Sequence, residues 1–536
     1  MPRIEQPIQR PLGVQISRAL SARGVRTVFG IPGVHNIELY RGMAEAGLTH
    51  VLVRHEQGAG FMADGYARAT GRPGVAHVIT GPGVCNVMTA MGQAYSDSVP
   101  MLVLSSCLPR ADRHMGRGRL HEMRDQETAA ACVCDWSVTA PDAAGTFDLI
   151  DRAFDEFACR RARPKHIQIP LDLLAAPAGA PPVVRPAPAL PIASAPDLDE
   201  IAARLKEATR PLFIFGGGAV RGFQAARALL AATGGACFVT TAGRGVIAAN
   251  DSHNFGPTLP RGDSAAVIAS ADLVLAIGTA LSEVDLWRDR LGRSAPLVRI
   301  DIDPDMLTDA HRAELRVLGD AGPVMEALLA RLQGQPPASG WDAAEIARLR
   351  RSFRASTDAE RPGLVPVIDA VTTALPPETM VYTDMTQFAY VANEIVQPAR
   401  PGLWHHPSGF GTLGYALPAA IGGKIGLGRA APVVAIAGDY GFHTTMQELG
   451  VAVEHRLNLP VLLWDNGRLG EIEDCMTNAQ ITPIAVAAQN PDFCALARAF
   501  GAKAVRPNSL GGLQDALTRA LHEDGPTLVH MTPAML

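Results

Sequence analysis

From residue 25 onward, short apolar and β-branched runs alternate with helix-length stretches of mixed polarity. The first runs are Thr27-Val-Phe29, Val51-Leu-Val53, Val75-Ala-His-Val-Ile79, Met101-Leu-Val-Leu104 and His166-Ile-Gln-Ile169. They are mostly continuous rather than alternating in polarity, the pattern of parallel strands covered on both faces by helices. The Pro/Ala-rich stretch 175–191 interrupts this rhythm, and its composition suits an extended linker rather than a core. A second block carries strands at Leu212-Phe-Ile-Phe215, Cys237-Phe-Val-Thr240, Leu273-Val-Leu-Ala-Ile277 and Leu297-Val-Arg-Ile-Asp301. After a second linker, Gln333 to Gly340, strands are expected near Met380-Val-Tyr382, Val433-Val-Ala-Ile436, Val461-Leu-Leu-Trp464, Ala502-Lys-Ala-Val505 and Thr527-Leu-Val-His530. The pattern predicts an α/β chain of three open parallel-sheet domains, with bounds 1–175, 190–335 and 350–536.

Composition narrows the class. A chain of 536 residues exceeds what one core serves, and three domains of roughly 150–190 residues are the prior. Charged residues at 19% and hydrophobic residues at 47% fit packed domains, and the 52 Gly and 41 Pro punctuate strands and helices. A net charge of −5 without a basic stripe gives no nucleic-acid footprint. No run of roughly 18 apolar residues suggests a membrane span. Met1-Pro-Arg-Ile-Glu-Gln-Pro lacks the apolar region of a secretory signal, which makes the cytoplasm the expected location. The eight cysteines lie in apolar or small-residue contexts, Cys132-Val-Cys134 has strand-like spacing, and all are expected to be buried free thiols.

The densest chemical signal lies in the third block. The apolar run from Ala431 ends in Gly438-Asp439-Tyr440-Gly441, and the next strand, Leu459 to Trp464, ends in Asp465-Asn466-Gly467. A carboxylate and an amide oxygen at neighbouring parallel strand ends suit a hard divalent cation whose shell a diphosphate completes. The glycines let backbone N–H groups and a helix N-terminus approach the phosphates.

This pair resembles the thiamine diphosphate-binding motif, Gly-Asp-Gly followed downstream by Asn-Asn. Tyr440 replaces the second glycine and Asp465 the first asparagine. The resemblance implies that Asp439, Asn466 and the main-chain carbonyl of Arg468 hold Mg2+, with Gly438, Tyr440 and Gly441 around the diphosphate. Three further segments match in order. Arg54-His-Glu56-Gln-Gly-Ala-Gly is similar to the family's glutamate motif, which places Glu56 against N1′ of the aminopyrimidine. There it would favour the imino tautomer of the 4′-amino group that deprotonates thiazolium C2. Read without the family, Glu56 is a helix-start charge. Gly409-Phe-Gly411-Thr-Leu413 resembles the segment between the two cofactor rings, with Leu413 as wedge and the Gly411 carbonyl accepting from the 4′-amino group. Leu413 by itself reads as a core leucine. Thr80-Gly81-Pro82-Gly83-Val-Cys-Asn86 matches the turn beside the pyrimidine, making Thr80 and Asn86 cofactor neighbours, against the plain reading of a tight strand-to-helix turn.

Substrate-side candidates are less specific. Val34, His35 and Asn36 fall in a loop that in the family faces the reacting carbon. Gln126 aligns with an active-site glutamine of the acetolactate synthase branch, or belongs to a solvated polar run. His405 and His406 precede the wedge and could relay protons, or be structural. Because Glu56 and Asp439 lie in different blocks, the resemblance implies a homodimer as the minimal unit and a homotetramer as the expected assembly.

The implied reaction is non-oxidative decarboxylation of a small 2-oxo acid through an enamine. Protonation of that enamine gives an aldehyde, and attack on a second carbonyl gives a carboligation product. Acetolactate synthases carry arginines where this chain reads Gly278-Thr-Ala-Leu-Ser-Glu-Val-Asp-Leu-Trp287, so an acetolactate-forming role is the second reading and FAD is not expected. Gly216-Gly-Gly218 has the wrong spacing for a dinucleotide fingerprint. Glu471 and Glu473, just past the metal loop, could meet a cationic substrate end such as guanidinium. They could equally be helix-start charges. Together with Gly-Ile-Pro-Gly-Val-His and Gly116-Arg-Gly-Arg-Leu-His-Glu-Met, this run resembles the 5-guanidino-2-oxopentanoate decarboxylase branch. A non-catalytic homologue that has kept the fold is the third reading.

Overall fold

The computed structural model describes residues 9–338 and 340–535; the N-terminal segment read above for a signal and Ser339 of the second linker lie outside them. Three six-stranded sheets follow one another along the chain, every strand pairing within them parallel. The first is built from β1 (Thr27–Gly30), β2 (Thr49–Leu52), β3 (Gly74–Val78), β4 (Met101–Cys107), β5 (Trp136–Thr139) and β6 (Lys165–Pro170), in the order β2-β1-β3-β4-β6-β5. The second comprises β7 (Pro211–Phe215), β8 (Ala236–Val239), β9 (Asn254–Gly256), β10 (Leu273–Ile277), β11 (Leu297–Asp301) and β12 (Leu315–Leu318), ordered β9-β8-β7-β10-β11-β12. The third holds β13 (Met380–Thr383), β14 (Trp404–His405), β15 (Val433–Gly438), β16 (Pro460–Trp464), β17 (Lys503–Val505) and β18 (Thr527–Met531), ordered β14-β13-β15-β16-β18-β17.

The outer sheets share one strand order, and in both the chain reverses direction across the sheet between its first and third strands. In such sheets ligands sit beyond the carboxyl ends of the strands near that reversal. The central strands of all three sheets are buried along their whole length, which explains their near-continuous apolar sequences. Four strands escaped the sequence pattern, β5, β9, β12 and β14, all of them at or next to a sheet edge. They are short, and β12 is only partly buried. Cys132 and Cys134 are not on a strand; they lie in the turn after helix Gln126–Ala131. All eight thiols are free, but Cys85, Cys132 and Cys475 are exposed, so burial holds for only part of the set.

Two helices lock the outer sheets together within the chain. Helix α1 (Glu56–Thr70) follows β2, and α2 (Pro82–Ser96) follows β3, opening at Pro82, whose fixed backbone angle suits a first helical residue. Helix α3 (Ala416–Leu427) of the third sheet crosses α1 at backbone distance. A Cβ on Gly65 would lie 1.9 Å from the Ala419 carbonyl oxygen, and one on Gly422 would lie 1.9 Å from that of Met62. Tyr415 donates from its hydroxyl to Asp64 Oδ1 at 2.5 Å, and Tyr382 to the Gly65 carbonyl at 2.7 Å, both buried. The two ends of the candidate site are therefore held by one continuous core. Among the described residues, no helix is long and apolar enough to cross a membrane.

Candidate active site

Helix α1 begins at Glu56 itself, with the His55 side chain accepting from the Gln57 N–H as its cap. Glu56 is 8% exposed, and Asn86 near the start of α2 donates from Nδ2 to Glu56 Oε2 at 2.8 Å. The turn Thr80–Gly83 runs between them. Gly81 has φ +73°, and a Cβ on it would meet the His121 carbonyl oxygen at 2.6 Å. Gln126 is buried and fully engaged. Its Oε1 accepts from Thr80 Oγ1 and the Gly81 N–H, both at 2.8 Å, while Nε2 donates to Ser105 Oγ, the Ser106 carbonyl and Gln168 Oε1. It is no part of a solvated run; it fixes the turn from behind.

Of the substrate-side loop, Asn36 is buried. It accepts from the Gly33 N–H at 2.7 Å and donates to the Ile31 carbonyl at 3.1 Å, which spends it on loop shape. Val34 is 67% exposed, an apolar side chain facing outward. His35 packs edge-on against His121, ring centroids 5.1 Å apart, with burial and that second imidazole holding its pKa down. Sequence reasoning missed His121, which adopts φ +63° beside Gly81.

In the third sheet, β15 and β16 pair in register through Gly438 and Trp464, so Asp439 and Asp465 leave the sheet side by side. Helix α4 (Asp439–Thr445) begins at Asp439, and Tyr440 is its second residue. At a helical position without positive φ, glycine is not required, and the substitution by tyrosine is accommodated. Gly441 is constrained, since a Cβ there would lie 2.7 Å from the Asp384 carboxyl carbon. Burial, with the neighbouring Asp465 charge, raises the pKa of Asp439. Asn490 offsets this, donating from Nδ2 to Asp439 Oδ2 at 2.7 Å and to Asp465 Oδ1 at 2.8 Å. Asp465 also accepts from His530 Nε2 at 2.8 Å; despite burial its pKa falls, held down by His530 and Asn490. The loop then turns at Gly467, φ +69°, with Asn466 Oδ1 accepting from the Arg468 N–H at 3.3 Å. A buried carboxylate, a side-chain amide oxygen and a loop carbonyl are the hard-oxygen donor types that suit Mg2+.

Beside this loop, Asp384 organises the wedge segment. It accepts from the N–H groups of Gly414, Met385 and Ala416, and burial pushes its carboxyl up to about 6. Gly411 has φ +68° and little around its Cα, while Leu413 is partly buried. His405 and His406 are not in an open loop. His405 ends β14, both rings are buried, and burial drives His406 down to about 3 and His405 well below its ordinary range. They are neutral packed rings, His406 with Nδ1 2.8 Å from Thr383 Oγ1. The acidic helix α5 (Gly470–Asn478) forms as expected, but its carboxylates have partners. Arg361 Nη2 donates to both Glu471 oxygens at 2.9 and 3.0 Å, and Arg468 to Glu473 at 3.0 Å.

One buried carboxylate links the two halves. Glu448, just beyond α4, accepts from the Arg54 N–H at 3.1 Å and fills the space that a Cβ on Gly58 would occupy; burial raises its carboxyl to about 7. Glu56 thus lies near Glu448, which follows the end of α4 in a separate helical turn, Met446–Glu448. Among the described residues no hydrogen bond joins Glu56 to Asp439, Asn466 or the wedge. The other end of α2 meets the wedge instead, where Gln93 accepts from the Thr412 N–H and hydroxyl.

In the central sheet, Gly216 and Gly218 pack backbone to backbone on Gly278 and Thr279, which accounts for the glycines without a nucleotide.

A carboxylate at a helix start in one doubly wound domain and oxygen-bearing side chains at adjacent strand ends in another are arranged as in an α/β enzyme whose ligand sits beyond the strand ends. The chain belongs to the thiamine pyrophosphate enzyme family. The family model for the N-terminal TPP binding domain matches residues 11–129, that for the central domain 198–328, and that for the C-terminal TPP binding domain 384–531. A Pseudomonas aeruginosa protein named "Probable 2-ketoarginine decarboxylase AruI" is 44% identical over 97% of this chain and 94% of its own. The acetolactate synthase isozyme 2 large subunit of Escherichia coli is 29% identical over 96% and 94%, and an acetolactate synthase of Mycobacterium bovis 30% over 96% and 86%. The chain is accordingly a thiamine diphosphate-dependent enzyme of the decarboxylase and acetolactate synthase type.

Proposed function

We propose that this chain catalyses the thiamine diphosphate- and Mg2+-dependent, non-oxidative decarboxylation of a guanidino 2-oxo acid, 5-guanidino-2-oxopentanoate being the compound to test first. The observation that carries this is the end-to-end similarity to a protein named as a 2-ketoarginine decarboxylase, at 44% identity against about 30% for the synthases. The acetolactate-forming alternative is disfavoured by the segment Gly278–Trp287, which lacks the arginines that the notion of a charged second substrate requires.

When bound, thiamine diphosphate supplies a nucleophilic carbon and an electron sink for the carboxylate's departure. The chain's own residues orient and tune it. Glu56, steadied by Asn86, would hold a proton at the pyrimidine nitrogen. Leu413 would wedge the rings, with the Gly411 carbonyl accepting from the amino group. Asp439, Asn466 and the Arg468 carbonyl would hold Mg2+, which screens the diphosphate charge, while Gly438, Tyr440 and Gly441 would line the diphosphate. Thr80 shapes the pyrimidine end, and Val34 and His35 face the substrate. Among the described residues no hydrogen bond joins Glu56 to the metal loop, and Val34 of the first domain and Phe410 of the third are exposed apolar side chains. This supports a homodimer in which the domain 1–175 of one copy closes over the domain 350–536 of another.

The substrate assignment makes a prediction. Glu471 already grips one guanidinium with both oxygens, that of Arg361, so its geometry suits the group, and a substrate guanidinium would compete with Arg361 for it. Glu471→Gln is expected to raise KM for the guanidino acid about tenfold and to leave pyruvate nearly unchanged. Carbon dioxide release across a panel of 2-oxo acids, with aldehyde and acyloin products separated, checks both points. A preference for pyruvate with acetolactate release would overturn the guanidino assignment.

A further inference from the structure

The departure from Asn-Asn at Asp465 sits in a line of hydrogen bonds that runs from the surface residue Arg506 through the buried His530 ring to Asp465 and Asn490. Arginine only donates, and Arg506 Nε and Nη2 lie 3.0 and 2.8 Å from His530 Nδ1. Nδ1 is therefore the acceptor, and the ring proton is on Nε2, which donates to Asp465 Oδ2 at 2.8 Å. His530 is fully buried, edge-on to the Phe493 ring at 5.6 Å, and has no room to rearrange. At the other end, Asn490 Oδ1 lies 3.2 Å from His443 Nε2. Because carboxylate oxygens only accept, the amide's two protons face Asp439 Oδ2 and Asp465 Oδ1. The Gly467 N–H also donates to Asp465 Oδ1, at 3.1 Å.

We infer that Arg506, His530 and Asp465 are positioning residues for the metal site, which through the Asn490 amide fix the rotamer of Asp439 and make aspartate, not asparagine, necessary at 465. The inference rests on the metal reading above. An asparagine at 465 must turn its NH2 either to the His530 Nε2 proton or to the protons of Asn490 and Gly467, donor against donor in both cases. It would fit only the other imidazole tautomer, which Arg506 forbids. The relative charge also balances: Asp465 places a second carboxylate beside Asp439, and the Arg506 cation answers it through the imidazole.

The test uses the full chain with saturating thiamine diphosphate and titrates Mg2+ by calorimetry, with thermal melts to verify folding. Asp465→Asn is expected to raise the Kd for Mg2+ about tenfold, the scale on which partners of metal ligands act. Adding Arg506→Met frees the tautomer, and the double variant is expected to return to within about threefold of the wild type, a recovery that general loosening would not produce. Asn490→Ala, in a loop where folding is not at stake, is expected to weaken Mg2+ about tenfold by removing the bridge. An Asp465→Asn midpoint within about twofold of wild type, or a double variant no better than the single, overturns the inference alone. Should Asp465→Asn not fold, an unchanged midpoint for Asn490→Ala overturns it. A wild-type chain that binds cofactor without Mg2+ overturns the metal reading and this inference together.

Discussion

Glu56→Gln is expected to fold and to bind thiamine diphosphate, yet to lose at least about a hundredfold in turnover, the scale of a removed acid-base group. The side chains are nearly isosteric, and the environment dictates how glutamine would sit. Asn86 donates to Oε2 at 2.8 Å, so the amide oxygen must take that place. The NH2 then occupies the position of Oε1, beside Gly83, where it can donate a hydrogen bond but not transfer a proton. The competing account, a charge favourable to the start of α1, predicts a stability change of about 0.3–1 kcal/mol and intact turnover. Steady-state kinetics alongside calorimetric cofactor binding separates them, and near-wild-type turnover would remove Glu56 from the mechanism.

The three-sheet architecture was readable because the central strands are buried on both faces and so lack polar positions. The edge strands β5, β9 and β12 carry no comparable signal, since they are only three to four residues long, β5 and β12 are partly exposed, and β9 is Asn-Phe-Gly, which reads as a turn. At the site, Asp439 and Asn466 could be named because each lies at a strand end next to glycines, and Glu56 because its segment resembles the family's glutamate motif. Most residues that hold them could not. Asn86 was legible as a cofactor neighbour but not as the partner of Glu56, and Asn490, His530, Asp384 and Glu448 are single polar residues in unremarkable segments whose importance comes from contacts across the fold. Even His405 and His406, legible as a pair, changed meaning once burial was known, because a ring held near pKa 3 is a packing element at physiological pH. Glu471 and Glu473 likewise looked free only because their arginine partners are out of local register, most clearly Arg361.

Asp439→Ala is expected to abolish Mg2+-dependent cofactor retention. Asp439 is 3% exposed, and Asn490 occupies one of its oxygens, which leaves the other for a cation. Removing one member of a buried, paired set of charges costs about 3 kcal/mol, or about a hundredfold in affinity. Chelator should strip cofactor from the wild type and make little further difference to the variant. Asp439→Asn keeps an oxygen at the same place without its charge and should fall between the two. The metal-free protein should behave in the opposite sense. There Asp439 and Asp465 are like charges on adjacent strand ends with one amide between them, so alanine relieves a repulsion, and the Tm of the apo variant should equal or exceed that of the apo wild type. Loss of cofactor retention without loss of Tm marks a ligand residue, whereas a fall in both would mark a merely structural one. Equal cofactor affinity for variant and wild type, with and without chelator, would place the metal elsewhere.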